Sequence, residues 1–156
     1  MPLRTALKDT KLIAALLTTA ENEARTTGDA EPGAEHLLIA SLVVDDDSAR
    51  TALGIDAAAA RRALADVHRE ALAALGIESD STDPLPAASG LYRAETSLQE
   101  ALRRTGVIAK HSPTGLRSAH ALIAVAEREH GTSARLLMRL GVDREQLIAA
   151  ATAALT

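Results

Sequence analysis

The segments Glu35-His36-Leu37-Leu38-Ile39-Ala40, Ser48-Ala49-Arg50 and Leu53-Gly54-Ile55-Asp56 recur later as Ala119-His120-Ala121-Leu122-Ile123-Ala124, Ser133-Ala134-Arg135 and Leu140-Gly141-Val142-Asp143. Order and chemistry repeat with small differences in spacing. Such self-similarity sets an architecture, because each copy is one unit that stacks on the other. Each copy reads as a long helix, a helix starting at the histidine, a short helix, a Leu-Gly-apolar-Asp turn and a closing helix. The predicted fold is all-α, an eight-helix bundle made of two pseudo-twofold-related four-helix repeats. It forms one domain over 1–156, with repeat one at about 8–76, a linker at about 77–90 and repeat two at about 91–156.

Composition agrees with helices. The 156 residues are 47% hydrophobic but contain no Trp, no Phe and one Tyr, Tyr92, so the core is aliphatic. Alanine and leucine dominate, as helix formers, and a β-sandwich built on Val, Ile, Thr and aromatics is excluded. Without cysteine there is no disulfide, thiolate nucleophile or Cys-based metal site. The 17 basic and 21 acidic residues leave a net charge of -4. Nucleic-acid binding, which needs a basic face and aromatic stacking platforms, is not expected. Arg61-Arg62 and Arg103-Arg104 read as solvated helix faces. The apolar run Leu12 to Leu17 is too short for a signal-peptide core or a membrane span, which points to the cytoplasm with no membrane partner. The preference for arginine over lysine, with abundant alanine, suggests a GC-rich bacterial genome.

The first helix is expected to open at Asp9-Thr10, where either side chain could cap, and to bury Leu12, Ile13, Leu16, Leu17, Ala20 and Ala24 before Gly28. A second helix follows Pro32-Gly33, and Asp45-Asp46-Asp47 places negative charge at the start of a short helix opened by Ser48. Asp56 caps an alanine-rich helix with Leu64, Val67, Ala71 and Leu75 on one face. Residues 77–90, with Pro84 and Pro86, have linker composition. Helices are then expected from Leu91 to Thr105, ending near Gly106, around Leu122, Ile123 and Ala126, and from Thr132 or Ser133 to Gly141. Asp143 and Gln146 have capping-box spacing for the last helix.

Catalytic patterns are sparse. His36 and His120 sit at matched helix starts, where an imidazole bonding a neighbouring backbone group is the favoured reading over titration or metal binding. Glu127 and His130 have Glu-x-x-His spacing, but a carboxylate-bridged di-iron site needs a second such pair. His68 and His111 receive no role. No Gly-x-Ser-x-Gly elbow and no phosphate-binding loop occurs, so neither a serine hydrolase nor an ATPase is expected. The expected protein is not an enzyme and uses no cofactor or metal.

The repeated segments resemble the N-terminal repeat domain of Clp-type AAA+ unfoldases, especially the ClpC branch. Gly33-Ala34-Glu35-His36-Leu37-Leu38-Ile39-Ala40 and Ser133 to Asp143 are similar to that family's repeated Thr-Glu-His-Leu-Leu-Leu-Gly-Leu, Ala-Ala-Arg-Val-Leu and Leu-Gly-Val-Asp segments. Ala20-Glu21-Asn22-Glu23-Ala24-Arg25 is similar to its Ala-x-Glu-Glu-Ala-Arg. The resemblance implies a stand-alone Clp-N protein, or a piece of a longer one, that binds substrates, adaptors or the Clp ATPase or protease. It further implies a phosphoarginine site in which Glu35 holds the guanidinium and Thr10 helps to hold the phosphate. A carboxylate can take a guanidinium through paired hydrogen bonds, and helix N-terminal amides favour phosphate. The alternative is that Glu35 only stabilises its helix start and Thr10 only caps. Repeat one has Ala34 where the family has Thr, and repeat two has Ser118-Ala119 in place of Thr-Glu, so no second site of this type is expected. Other readings are a decoy that sequesters the cyclic-peptide antibiotics targeting Clp unfoldases, or an unrelated small helical regulator.

Overall fold

A computed structural model describes residues 2–76 and 95–156. The expected linker at 77–90, Leu91 and Tyr92 lie outside the described residues. Eight helices follow in order: α1 (Pro2–Thr27), α2 (Ala34–Val43), α3 (Ser48–Leu53), α4 (Ala57–Ala74), α5 (Thr96–Lys110), α6 (Ser118–Ala126), α7 (Thr132–Arg139) and α8 (Arg144–Ala153). No strand occurs among the described residues.

Helices α2 and α6 form the centre. Both are apolar all round, the pattern of a helix enclosed by neighbours, and nearly every residue of each is buried. They pack on each other, with α1 laid against α2 and α5 against α6. The closing helix of each copy crosses to the other copy's short helix: α4 packs on α7 and α8 on α3. Advancing every helix by four positions maps this set of neighbours onto itself, the pseudo-twofold relation the repeat predicts. The fully buried large side chains are Leu16, Leu37, Leu38, Ile39, Leu42, Leu64, Leu98, Leu122, Leu136 and Leu137, with only His36 and His120 not aliphatic.

Helix ends obey local rules. Asp56 and Asp143 accept the N–H groups of Ala59 (2.7 Å) and Gln146 (2.9 Å), as N-caps do. After α1, Gly28 at φ 79° lets its N–H reach Arg25 O while the Asp29 N–H reaches Ala24 O, a Schellman ending. Gly141 at φ 70° closes α7 in the same way.

Four expectations are corrected. Helix α1 starts at Pro2, not at Asp9-Thr10. A proline suits a first turn, the following residues continue the helix, and Asp9 turns its carboxylate to the Leu116 N–H instead of capping. Ile13 is 40% exposed, because the buried stripe runs through Leu16, Ala20 and Ala24 and leaves it at the edge. Helix α5 passes through Gly106 to Lys110: one interior glycine costs about 1 kcal/mol, and anchoring by Leu98, Ala101 and Thr105 outweighs it. The end of α4 overruns the core, leaving Ala71 exposed and Leu75 76% exposed.

Candidate functional site

The matched histidines occupy the third position of α2 and α6, where a capping box usually places Glu or Gln. Here the ring nitrogen takes over. The Gly33 N–H donates to His36 Nδ1 at 2.9 Å, and the Arg117 N–H donates to His120 Nδ1 at 2.9 Å. The proton of each neutral ring is thereby placed on Nε2. At His36 that proton meets Asp29 Oδ2 at 3.0 Å, with Thr27 Oγ1 also 3.0 Å away and itself donating to Asp29 at 2.6 Å. At His120 the buried Nε2 has no partner. Burial pushes the His120 pKa down. Burial works to raise that of Asp29, but hydrogen bonds from His36 and Thr27 overcome it and hold the carboxyl below its usual range.

Glu35 lies at the second position of α2 and is 5% exposed. Its carboxylate folds back over Gly33: a Cβ added there would stand 2.6 Å from Glu35 Oε2 and 2.6 Å from Glu95 Oε2. Glu95 comes from the other repeat, as the residue preceding α5. It is fixed by its own N–H, which donates to Pro32 O at 3.0 Å, and by Ser97, whose hydroxyl accepts the Ala34 N–H (3.1 Å) and reaches Glu95 Oε2 at 3.4 Å. Burial, then the charge of Glu35, pushes the Glu95 pKa up. Glu35 Oε1 is 3.6 Å from His36 Nδ1, but that nitrogen already accepts the Gly33 N–H and has no proton to offer. The result is a pair of carboxylates at the start of α2, built from both halves of the chain.

This architecture recurs in a solved structure. The chain is similar to the N-terminal domain of the caseinolytic protease associated chaperone ClpD from Arabidopsis thaliana, with TM-score 0.61 and 17% identity, covering 90% of this chain and 89% of that chain. The fold is that of a Clp N-terminal domain. No family model matches the chain, and no curated protein matches it.

Within this Clp-N fold, Glu35 and Thr10 stand apart. Thr10 is exposed in the middle of α1, its hydroxyl donating to Ala6 O at 2.9 Å, so it caps nothing. Thr27, which touches His36, is 17 residues further along the same continuous helix, about 25 Å at 1.5 Å per residue. One phosphoarginine does not span that distance. Thr10 instead lies beside Asp9, which bonds the Leu116 N–H in the loop leading to His120.

Sequence reading missed Asp29, Glu95 and Ser97, whose contacts with α2 depend on how separate elements pack. Only Asp29, seven residues before the histidine, was near enough to be suspected. Asp46 does serve the start of α3, accepting the Ser48 N–H at 2.9 Å; what the sequence did not show is that it also receives Ser48 Oγ (2.6 Å), Ser118 Oγ (2.9 Å) and Arg117 Nε (3.2 Å), joining the two repeats. His68 Nε2 stands 3.8 Å from Asp29. Glu127 pairs with Arg104 Nε at 2.7 Å, while His130 is exposed. Among the described residues no group of three His, Cys, Asp or Glu side chains is placed to hold a metal, and no helix is long and apolar enough to cross a membrane.

Proposed function

We propose that this chain is a non-catalytic recognition module of Clp-dependent proteolysis that binds protein partners, substrates or adaptors, through an arginine side chain received at Glu35. The observation that carries the reading is the Clp N-terminal fold over nine-tenths of both chains, joined to a buried carboxylate at the start of α2. A guanidinium supplies the paired N–H donors that such a carboxylate lacks. Phosphoarginine-marked proteins are the ligand class to which the ClpC resemblance points, and they define the first test. Calorimetry with arginine and phosphoarginine peptides should give binding heat that Glu35→Ala abolishes and Thr10→Ala leaves intact. Equal heat with Glu35→Ala would remove Glu35 from the site.

A further inference from the structure

We infer that Glu35 and Glu95 form a two-carboxylate clamp that takes the unphosphorylated guanidinium of a partner's arginine in preference to phosphoarginine. This rests on the reading of Glu35 given above and adds a second residue and a ligand preference to it.

Three observations converge. Glu35 and Glu95 each bring a carboxylate oxygen within 2.6 Å of one point above Gly33, so the two groups approach within about 5 Å, where like charges repel and a cation between them relieves both. The buried Glu35 side chain, 6% exposed, receives no hydrogen bond from any described residue, its one close nitrogen being the His36 Nδ1 already engaged by Gly33. Gly33, lacking a Cβ, leaves the room that lets both carboxylates close over the same backbone. A planar guanidinium has five N–H donors in a fixed fork and can bridge two carboxylates; a lysine ammonium, a compact point charge, matches this geometry less well.

Phosphate is disfavoured by the same surroundings. It would bring a charge of about -1.5 to -2 next to Glu35, Glu95 and Asp29. Two of the helix-start amides beside the pair are also occupied, Gly33 by His36 and Ala34 by Ser97. Phosphorylation also removes donors from the fork.

Calorimetry on the full chain with an N-acetyl-arginine-amide peptide, its phosphoarginine form and its lysine form tests this. The unmodified arginine peptide should bind at least about tenfold more tightly than either, and Glu95→Gln should weaken it by about tenfold while narrowing the gap to phosphoarginine. Glu95 is at the surface, so this variant folds; a carboxyl resonance of Glu95 that moves on adding the arginine peptide, observed by NMR in the unmutated chain, gives an independent readout. Phosphoarginine binding as tightly as arginine, or Glu95→Gln binding arginine unchanged while Glu35→Gln does not, would overturn the clamp alone. Binding unaffected by Glu35→Gln, or no binding of any peptide, would overturn both the clamp and the reading beneath it.

Discussion

Two histidines in equivalent positions carry different loads. Each ring accepts the N–H at the start of its helix, but only His36 also donates, to Asp29. His36→Ala therefore opens a cavity, strands the Gly33 N–H and leaves Asp29 with Thr27 as its remaining donor, an expected loss of about 3 kcal/mol in urea unfolding. His120→Ala strands only the Arg117 N–H and should cost about 1 kcal/mol less. The pH dependence has a definite sign. His120 titrates below its ordinary 6.5 in the folded chain, so the unfolded chain binds the proton first, and stability falls as pH drops below 6.5. Asp29 and Asp46 are held below their ordinary 3.8, and the stability they contribute is present above that value and lost as pH falls through their folded values. Melting temperature should thus decline in two stages on acidification, and His120→Gln should flatten the upper one. A decline unchanged in that variant would assign the upper stage to another group.

At the scale of elements, two glycines, one just past α1 and one inside α5, make opposite predictions. Gly28 sits at φ 79° beyond α1, where a side chain is strained, and Gly28→Ala should cost about 1–2 kcal/mol. Gly106 lies inside α5 with open space where a Cβ would be, and Gly106→Ala should stabilise by about 0.5–1 kcal/mol. Chemical denaturation of both variants checks the pair. The contrast also explains what was legible. Gly28, Gly54 and Gly141 follow exhausted apolar periods and do end helices, whereas the period continues across Gly106 through Ala101, Thr105 and Ile108. The start of α1 was misread because Asp9 and Thr10 have capping chemistry, yet their partners are Leu116 in another element and Ala6 one turn back.

On the scale of the molecule, the two repeats are locked by reciprocal capping. Ser48 Oγ accepts the Ala119 N–H at 3.0 Å, Ser118 Oγ accepts the Ala49 N–H at 3.1 Å, and the two hydroxyls lie 3.0 Å apart beside Asp46. Removing either serine leaves a buried N–H unpaired, so Ser48→Ala and Ser118→Ala should each cost about 1–3 kcal/mol. Their double variant should cost less than the sum, because one network is broken once; strict additivity would show that the serines act separately. Short-range pattern determined the helical class, the eight elements, the pseudo-twofold repeat and the capping role of the histidines, since caps and apolar periods act within a few residues of chain. Packing alone decided which distant groups meet: Glu95 over Glu35 and Asp46 on Ser118, while Thr10 lies 17 residues along α1 from Thr27, the residue that touches His36. Those contacts join residues some 60 to 72 positions apart, and their geometry exists only after α2 and α6 have buried their aliphatic surfaces against each other.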